Sequence, residues 1–524
     1  MKALLLYRDC DFDPNFLLGD RFRRSREPEW HQKLGPLDRA LVQDLELDTL
    51  LQAMAGEDEF LLDVARKAIL SGFENDIDTI LYRQAALRDC LQNQEATVAF
   101  YNLAVTAIES AQKNSWGLSS HYPGSMLYNA VDVLGALWEK LKAVRELAYE
   151  QSGKFESSAF TTLFAMLARE LDDDYLAIVA TYLDDLKFHP GVLFTAELGE
   201  WNESENYILR LVRGKDRNWF QRLFGQRPPG YTFRLDERDE AGAQILGDMR
   251  QRAISRVAVA LAESADHVLS FFRTLRTELA FYLGCLNLHS CLVAKVEPIS
   301  FPVPHAPGER SLSFRGLYDV CLSLQMKERV VGNSAGANGK NLVVITGANQ
   351  GGKSSFLRGI GLAHLMMQCG MFIGAETFEG EICPALFTHY KRKEDSTMTS
   401  GKLDEELLRM SGIADHLSPN SIVLFNESFA ATNEREGSEI ARQVVAALLE
   451  KGVRVFFVTH LYEFAHGFLL SNRDAIFYRP ERRDDGARTF RLFEGEPLET
   501  SFGHDLYREI FENPSGEEPD QVRV

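Results

Sequence analysis

The sequence predicts a parallel α/β sheet domain at the C-terminal end of the chain. A mainly α-helical region with a small β-rich insertion precedes it. Three observations predict this. Four apolar residues, Leu342 to Ile345, run into a glycine-rich turn and then into a helical pattern through Met367. Two further apolar runs, Ile422 to Phe425 and Val455 to Val458, have the length of strands buried on both faces and end in polar residues. Upstream, no proline falls between Pro36 and Pro123, between Pro123 and Pro190, or between Pro229 and Pro298, and helical apolar spacing fills those intervals.

Residues 1–36 read as an irregular arm, either solvated or phosphate-contacting, with Arg21, Arg23, Arg24 and Arg26 close together. From Leu37 to Ser110 the apolar spacing is helical, through Leu45, Leu47, Leu50 and Leu51, then Phe60, Leu61, Leu62 and Val64, then Ile77, Ile80 and Leu81. Met126 to Leu147 and Phe160 to Leu186 read as two more helices joined near Gly153. The period changes around 190–235, where Val192 to Leu198, Tyr207 to Val212 and Tyr231 to Leu235 read as short strands. Between them stand Arg213, Lys215, Arg217 and Arg222 with Trp219, Phe220 and Phe224. Such a stretch is either a solvated loop or a nucleic-acid contact, in which cations hold phosphates and rings stack on bases. Leu246 to Leu283 returns to helix, with Leu261, Ala265, Val268, Phe272, Leu275 and Leu279 in one stripe. Four prolines between Pro298 and Pro307 then lead into the last domain.

The glycine-rich turn, Gly347, Ala348, Asn349, Gln350, Gly351, Gly352, Lys353 and Ser354, followed by Ser355, fits the phosphate-cradling pattern G-x-x-x-x-G-K-[ST]. Glycines let the backbone wrap a polyphosphate, so that N–H groups and a helix N-terminus face the negative charge. Lys353 is placed to reach the β- and γ-phosphates of ATP and the Ser354 hydroxyl to sit on Mg²⁺. The run Ile422 to Phe425 closes in Asn426 and Glu427, where ATPases of this kind put a metal-associated acid and a water-orienting carboxylate. Here the first is an amide, and Glu427 remains to polarise the attacking water. Val455 to Val458 ends in Thr459 and His460, a position from which a histidine can sense the γ-phosphate. The catalytic set is therefore Lys353, Glu427 and His460, and the metal set is Ser354 with Asn426 and Glu427 acting through water.

At 524 residues about three domains are expected. Apolar residues at 45% and charged residues at 25% describe an ordinary globular chain. No run approaches a membrane span, and the charged N-terminal residues do not suit a signal peptide. Seven scattered cysteines without a C-x-x-C pair read as reduced thiols of a cytoplasmic protein, with no metal cage. The net charge of −19 opposes general nucleic-acid affinity, so any DNA contact must come from a local basic patch or a partner.

Thr346 to Arg358 resembles the nucleotide loop of the MutS family of DNA mismatch-repair ATPases, whose hallmark is Thr-Gly-x-Asn-x-Gly-Gly-Lys-Ser-Thr followed by an aromatic residue and Arg. The likeness continues through Asn426 to Gly437, Thr459-His460 and Ser501-Phe502-Gly503, the last similar to the family's C-terminal dimerisation element. Thr79 to Arg88 resembles the start of the family's helical core, and residues 246–283 resemble its lever. The resemblance implies a homodimeric ATP-driven clamp whose nucleotide sites are completed across the dimer by a signature segment. That segment is Ser400, Gly401 and Lys402 here, with Leu403 and Asp404 where the family has Ser-Thr. Val330, Val331 and Asn333 match the adenine-contacting segment, with valine replacing an aromatic stacker.

The implied division is a first part of the helical core at 1–120, lever helices with the β-containing segment at 121–300, and a MutS-like P-loop ATPase domain with dimerisation helices at 301–524. Neither a Phe-x-Glu wedge nor a mispair-reading domain is recognisable, so the chain reads as a reduced MutS. Two functions fit these residues. One is an ATP-dependent, slowly hydrolysing DNA-binding clamp in repair or recombination. The other is a nucleotide-dependent switch that acts on a protein partner without touching DNA.

Overall fold

The computed structural model describes residues 1–12, 34–114, 123–187, 192–200, 203–210, 234–236, 238–347, 351–392, 401–471, 474–482 and 488–498. The chain divides into two compact units, Met1–Phe16 with Gln92–Leu279, and Leu17–Leu91 with Ala280–Val524.

The first unit is built from the helices Gln94–Asn114, Pro123–Gln151, Ser158–Glu170 and Asp173–Asp185 and from most of the helix Glu240–Ala294, which is 55 residues long. The single helix expected over 160–186 is two, because Leu171 and Asp172 leave the helical conformation and the Asp172 carboxylate caps the second by accepting from Tyr175 N. Phe100, Phe155, Phe160 and Phe164 form a ring cluster with centroids 4.5–6.5 Å apart. The short strands β1, Leu193–Leu198, and β2, Ser204–Arg210, pair antiparallel as a largely exposed hairpin. The stretch expected as a strand at 231–235 lies mostly outside the described residues, and Arg234 and Leu235 are not in one.

Residues 1–12 correct the expectation of a solvated arm. Ala3, Leu5, Leu6 and Phe12 are buried, and the fully buried Glu278 carboxylate accepts from Leu5 N at 2.6 Å and Phe12 N at 2.8 Å. The apolar residues supply the drive for burial, and one carboxylate satisfies two amides that have no ladder of their own. Arg21, Arg23, Arg24 and Arg26 lie outside the described residues.

The second unit holds two sheets. A four-stranded sheet, ordered β3-β7-β4-β5, comprises Val303–His305, Thr377–Glu381, Leu312–Leu317 and Asn333–Gly336. A six-stranded sheet takes β6, Leu342–Ile345; β8, Leu386–Tyr390; β9, Ile422–Asn426; β10, Arg454–Val458; β11, Ala475–Arg482; and β12, Arg488–Glu494. Its order is β12-β11-β6-β10-β9-β8, parallel throughout except for the antiparallel β11–β12 hairpin.

The central strands are short, rich in Val, Ile and Phe, and almost without exposed surface, as parallel strands covered on both faces must be. Leu342, Val344, Val423, Phe425, Val455 and Phe457 pack with residues of the helices Lys402–Ala414, Glu434–Glu450 and Tyr462–Ser471. Leu424 faces the other side, where the helix Lys353–Gln368 approaches closely at Gly361. Each buried Phe or Leu contributes about 1.5–3 kcal/mol.

Residues 36–91 pack within this same unit. The helix Pro36–Asp44 lies along β8, and Leu37 joins the apolar core of the sheet. Asn75 Nδ2 donates to Gln368 O at 2.8 Å and Gln84 Nε2 to Pro302 O at 3.0 Å. Among the described residues no helix is long and apolar enough to cross a membrane, and all seven cysteines are free thiols.

Candidate nucleotide site

Register places the site. Val455 pairs with Leu342 and Val458 with Ile345, while Val458 also pairs with Asn426, so β6, β9 and β10 end level with one another. The ladder continues one step beyond, as Glu427 N donates to Val458 O at 2.9 Å and Thr459 N to Ile345 O at 3.0 Å. Thr346, Glu427 and Thr459-His460 therefore emerge side by side at the carboxyl edge, where open α/β sheets take ligands.

The glycine loop begins there. Gly352 is left-handed at φ 82° and starts the helix Lys353–Gln368, a conformation that costs a Cβ-bearing residue about 1 kcal/mol or more. Lys353 is buried, and its Nζ donates to Gly347 O at 2.7 Å. Burial pulls the Lys353 ammonium down to about 8, against the opposing attraction of Glu427. Ser354 Oγ donates to Asn426 Oδ1 at 3.2 Å. His460 Nε2 donates to Glu427 Oε1 at 2.9 Å, and this bond holds the Glu427 carboxyl below the usual range although burial opposes it.

Lys353, Ser354, Asn426, Glu427 and His460 are thus brought together. Gly347, Gly351, Gly352 and Ser355 lie beside them on the same loop and first helical turn, whereas Ala348, Asn349 and Gln350 lie outside the described residues. Val331 and Val330 line a cavity of about 830 Å³ with Arg329, Tyr318, Thr489 and Phe490. Asn333 is buried and spans to β12: its Nδ2 donates to Phe490 O at 3.2 Å and its Oδ1 accepts from Leu492 N at 2.7 Å. Phe490 also packs next to Gly352, so the cavity adjoins the glycine loop.

Gly401 and Lys402 are exposed at the start of the helix Lys402–Ala414, and Leu403 turns inward onto the apolar core. Ser400, the basic stretch with Arg213, Lys215, Arg217 and Arg222, and Ser501 to Gly503 lie outside the described residues.

The family model for the MutS2 N-terminal domain matches residues 75–295, and that for MutS domain V matches residues 343–479. The chain belongs to the MutS family. Among its relatives, human MutS protein homolog 4 is 25% identical over 197 residues, 36% of this chain and 21% of that protein. The DNA mismatch repair protein MutS of Synechococcus elongatus is 27% identical over 278 residues, 50% of this chain and 30% of that protein. A MutS of Thermotoga sp. is 33% identical over 126 residues, 24% of this chain and 16% of that protein. The chain thus matches less than a third of the length of these MutS relatives.

Some contacts around this site carried no signal in sequence. Phe490 sits on a hairpin strand beyond the last apolar run, and only the β11–β12 pairing brings it back to Gly352. Arg358, one turn into the loop's helix, pairs with the buried Asp319 at 2.5 Å and with Glu46. Those partners stand 39 and 312 residues away in sequence, and no local pattern marks them.

Proposed function

We propose that this chain is an ATPase of the MutS type, which binds ATP with Mg²⁺, hydrolyses it slowly, and uses the cycle to close a homodimeric clamp on DNA in repair or recombination. The observation that carries this reading is the convergence of Lys353, Ser354, Asn426, Glu427 and His460 at the level ends of β6, β9 and β10. The domain V match and the printed names of the relatives support it.

The residues fit the cofactor. Ser354 Oγ and Asn426 Oδ1 offer two oxygens 3.2 Å apart, suited to a hard divalent ion that completes its shell with phosphate oxygens and water. Ser354 would hold Mg²⁺ directly, with Asn426 and Glu427 acting through water, and the ion would supply positive charge against the phosphates. Lys353 exchanges its bond to Gly347 O for phosphate oxygens, beside the loop amides and the helix N-terminus. Glu427, kept ionised by His460, orients and polarises the attacking water, and ADP and phosphate leave. The cavity at Val331 and Phe490 takes the adenine, with Asn333 fixing its wall. Because Asn426 is a neutral amide, it attracts the metal less than a carboxylate does, and turnover is slow.

Ser400, Gly401 and Lys402 reach the triphosphate of a second copy in the clamp. DNA is held by Arg213, Lys215, Arg217 and Arg222, four cations in a chain of net charge −19. That charge favours a second reading, in which the same site drives a switch that acts on a protein and leaves DNA alone.

Two measurements test the proposal. Mg²⁺-dependent phosphate release should exceed that of a Lys353→Ala control, and equality of the two would remove the ATPase. Duplex and branched DNA should bind with steep salt dependence; no binding even at low salt would select the switch.

A further inference from the structure

The carboxylate assigned to the water does not sit in a relaxed loop. Glu427 and Phe429 both adopt left-handed backbone, at φ 54° and 62°, where residues with a Cβ are strained. Such a turn persists only if its surroundings hold it, and here two side chains do so. The buried Glu406 carboxylate accepts from Phe429 N at 2.6 Å. His389, buried on β8, faces Glu406 O with its Nε2 at 2.9 Å and Ser428 Oγ with its Nδ1 at 2.7 Å. A carbonyl only accepts, so Nε2 carries the proton and Nδ1 is left an acceptor; the one Ser428 hydroxyl proton faces both Nδ1 and the His389 carbonyl. The His389 ring also stacks on Phe429, with centroids 5.3 Å apart. Phe429 and Ser428 are fully buried, and Gly437 offers no Cβ where the Phe429 carbonyl passes 2.3 Å from the position one would occupy.

We propose that Glu406 is a positioning residue for Glu427, fastening the turn Glu427-Ser428-Phe429 to the helix Lys402–Ala414, with His389 and Ser428 as its second fastening. Glu406 acts through Phe429 N, while the Glu427 carboxylate itself is bonded by His460. Glu406 fixes the direction in which the Glu427 carboxylate leaves the strand, while Lys353 is held by its bond to Gly347 O and by its own helix. The consequence is a separation of roles: binding does not depend on Glu406, and hydrolysis does. The helix that carries Glu406 begins at Gly401-Lys402, so a contact made there also bears on the turn.

This inference rests on the ATPase reading, and its test separates the two. Full-length wild type, Glu406→Ala and Glu406→Gln are compared for phosphate release across Mg·ATP concentration and for thermal unfolding. Glu406→Ala should lower kcat at least tenfold with KM within twofold. Glu406→Gln, whose amide oxygen accepts the same bond, should recover most of that rate. Ser428→Ala, which alters the second fastening without touching Glu406, should lower kcat with KM unchanged. If wild type turns over and Glu406→Ala keeps its kcat, the positioning role is overturned while the ATPase reading stands. Equal losses in the Ala and Gln variants, or losses in KM that follow the melting temperature, would also overturn it. No turnover in wild type removes both.

Discussion

His460 Nε2 lies 2.9 Å from Glu427 Oε1, and the two residues reach each other from the ends of neighbouring parallel strands. The bond lowers the Glu427 carboxyl from its ordinary value, so the group is ionised throughout the neutral range.

Removing either partner should separate binding from hydrolysis. Glu427→Ala is expected to lower kcat by about 10²–10⁴-fold while nucleotide still binds. His460→Ala is expected to cost about 10–100-fold, the worth of one hydrogen bond to a charged group. Phosphate release and nucleotide affinity measured together check both. In the clamp reading, Glu427→Ala also accumulates as an ATP-bound dimer, which solution mass in ATP would reveal.

Nucleotide affinity should depend on pH through Lys353. In the free site its ammonium titrates at about 8, lowered by burial, so below that pH it is charged and affinity is level. Above it a growing share of the free protein holds a neutral amine, while a bound triphosphate favours the charged form. Affinity should then weaken by roughly tenfold per pH unit, with a proton taken up on binding. Titration of Mg·ATP at pH 7, 8 and 9 reads this directly. A Lys353→Arg protein that still binds should show no such slope, because arginine stays charged.

Asn426→Asp should strengthen magnesium binding. The new carboxylate oxygen replaces the amide oxygen that lies 3.2 Å from Ser354 Oγ, adding a charge where only a dipole stands. Half-saturating Mg²⁺ in the hydrolysis assay should fall by about tenfold, equivalent to about 1.4 kcal/mol. An unchanged magnesium requirement would show that Asn426 is not near the metal.

Arg358 tests how residues 36–91 contribute to the second unit. Its guanidinium pairs with Asp319, whose side chain is 1% exposed, and with Glu46 on the turn before the helix Leu47–Ala55. Burial raises the Asp319 carboxyl and Arg358 opposes the rise, so Arg358→Ala leaves an uncompensated buried acid. The loss should be about 3–5 kcal/mol of unfolding free energy in urea. Asp319→Asn with Arg358→Met should recover part of it.

By itself the sequence determined the chemistry of the strand ends. Apolar runs as short as Leu342 to Ile345 name parallel strands because both faces must be dry, and the polar residues that close them are local in the chain. It also determined the long helix, whose apolar stripe repeats at one period through Leu279, and the family, because Thr346 to Arg358 is one unbroken stretch. It gave no sign of the four-stranded sheet between Val303 and Glu381, whose strands are as short as three residues and carry no clear alternation.

Only the tertiary structure decided which distant groups share the site. Register made β6, β9 and β10 end level; a shift of one residue would turn their side chains to the other face. Packing put Phe490 beside Gly352, Asp319 beside Arg358, and Glu406 beneath the strained turn that carries Glu427. Those pairings satisfy buried polar groups that no neighbour in sequence reaches. The drive to satisfy them exists only once water has been excluded, so local pattern carries no trace of it.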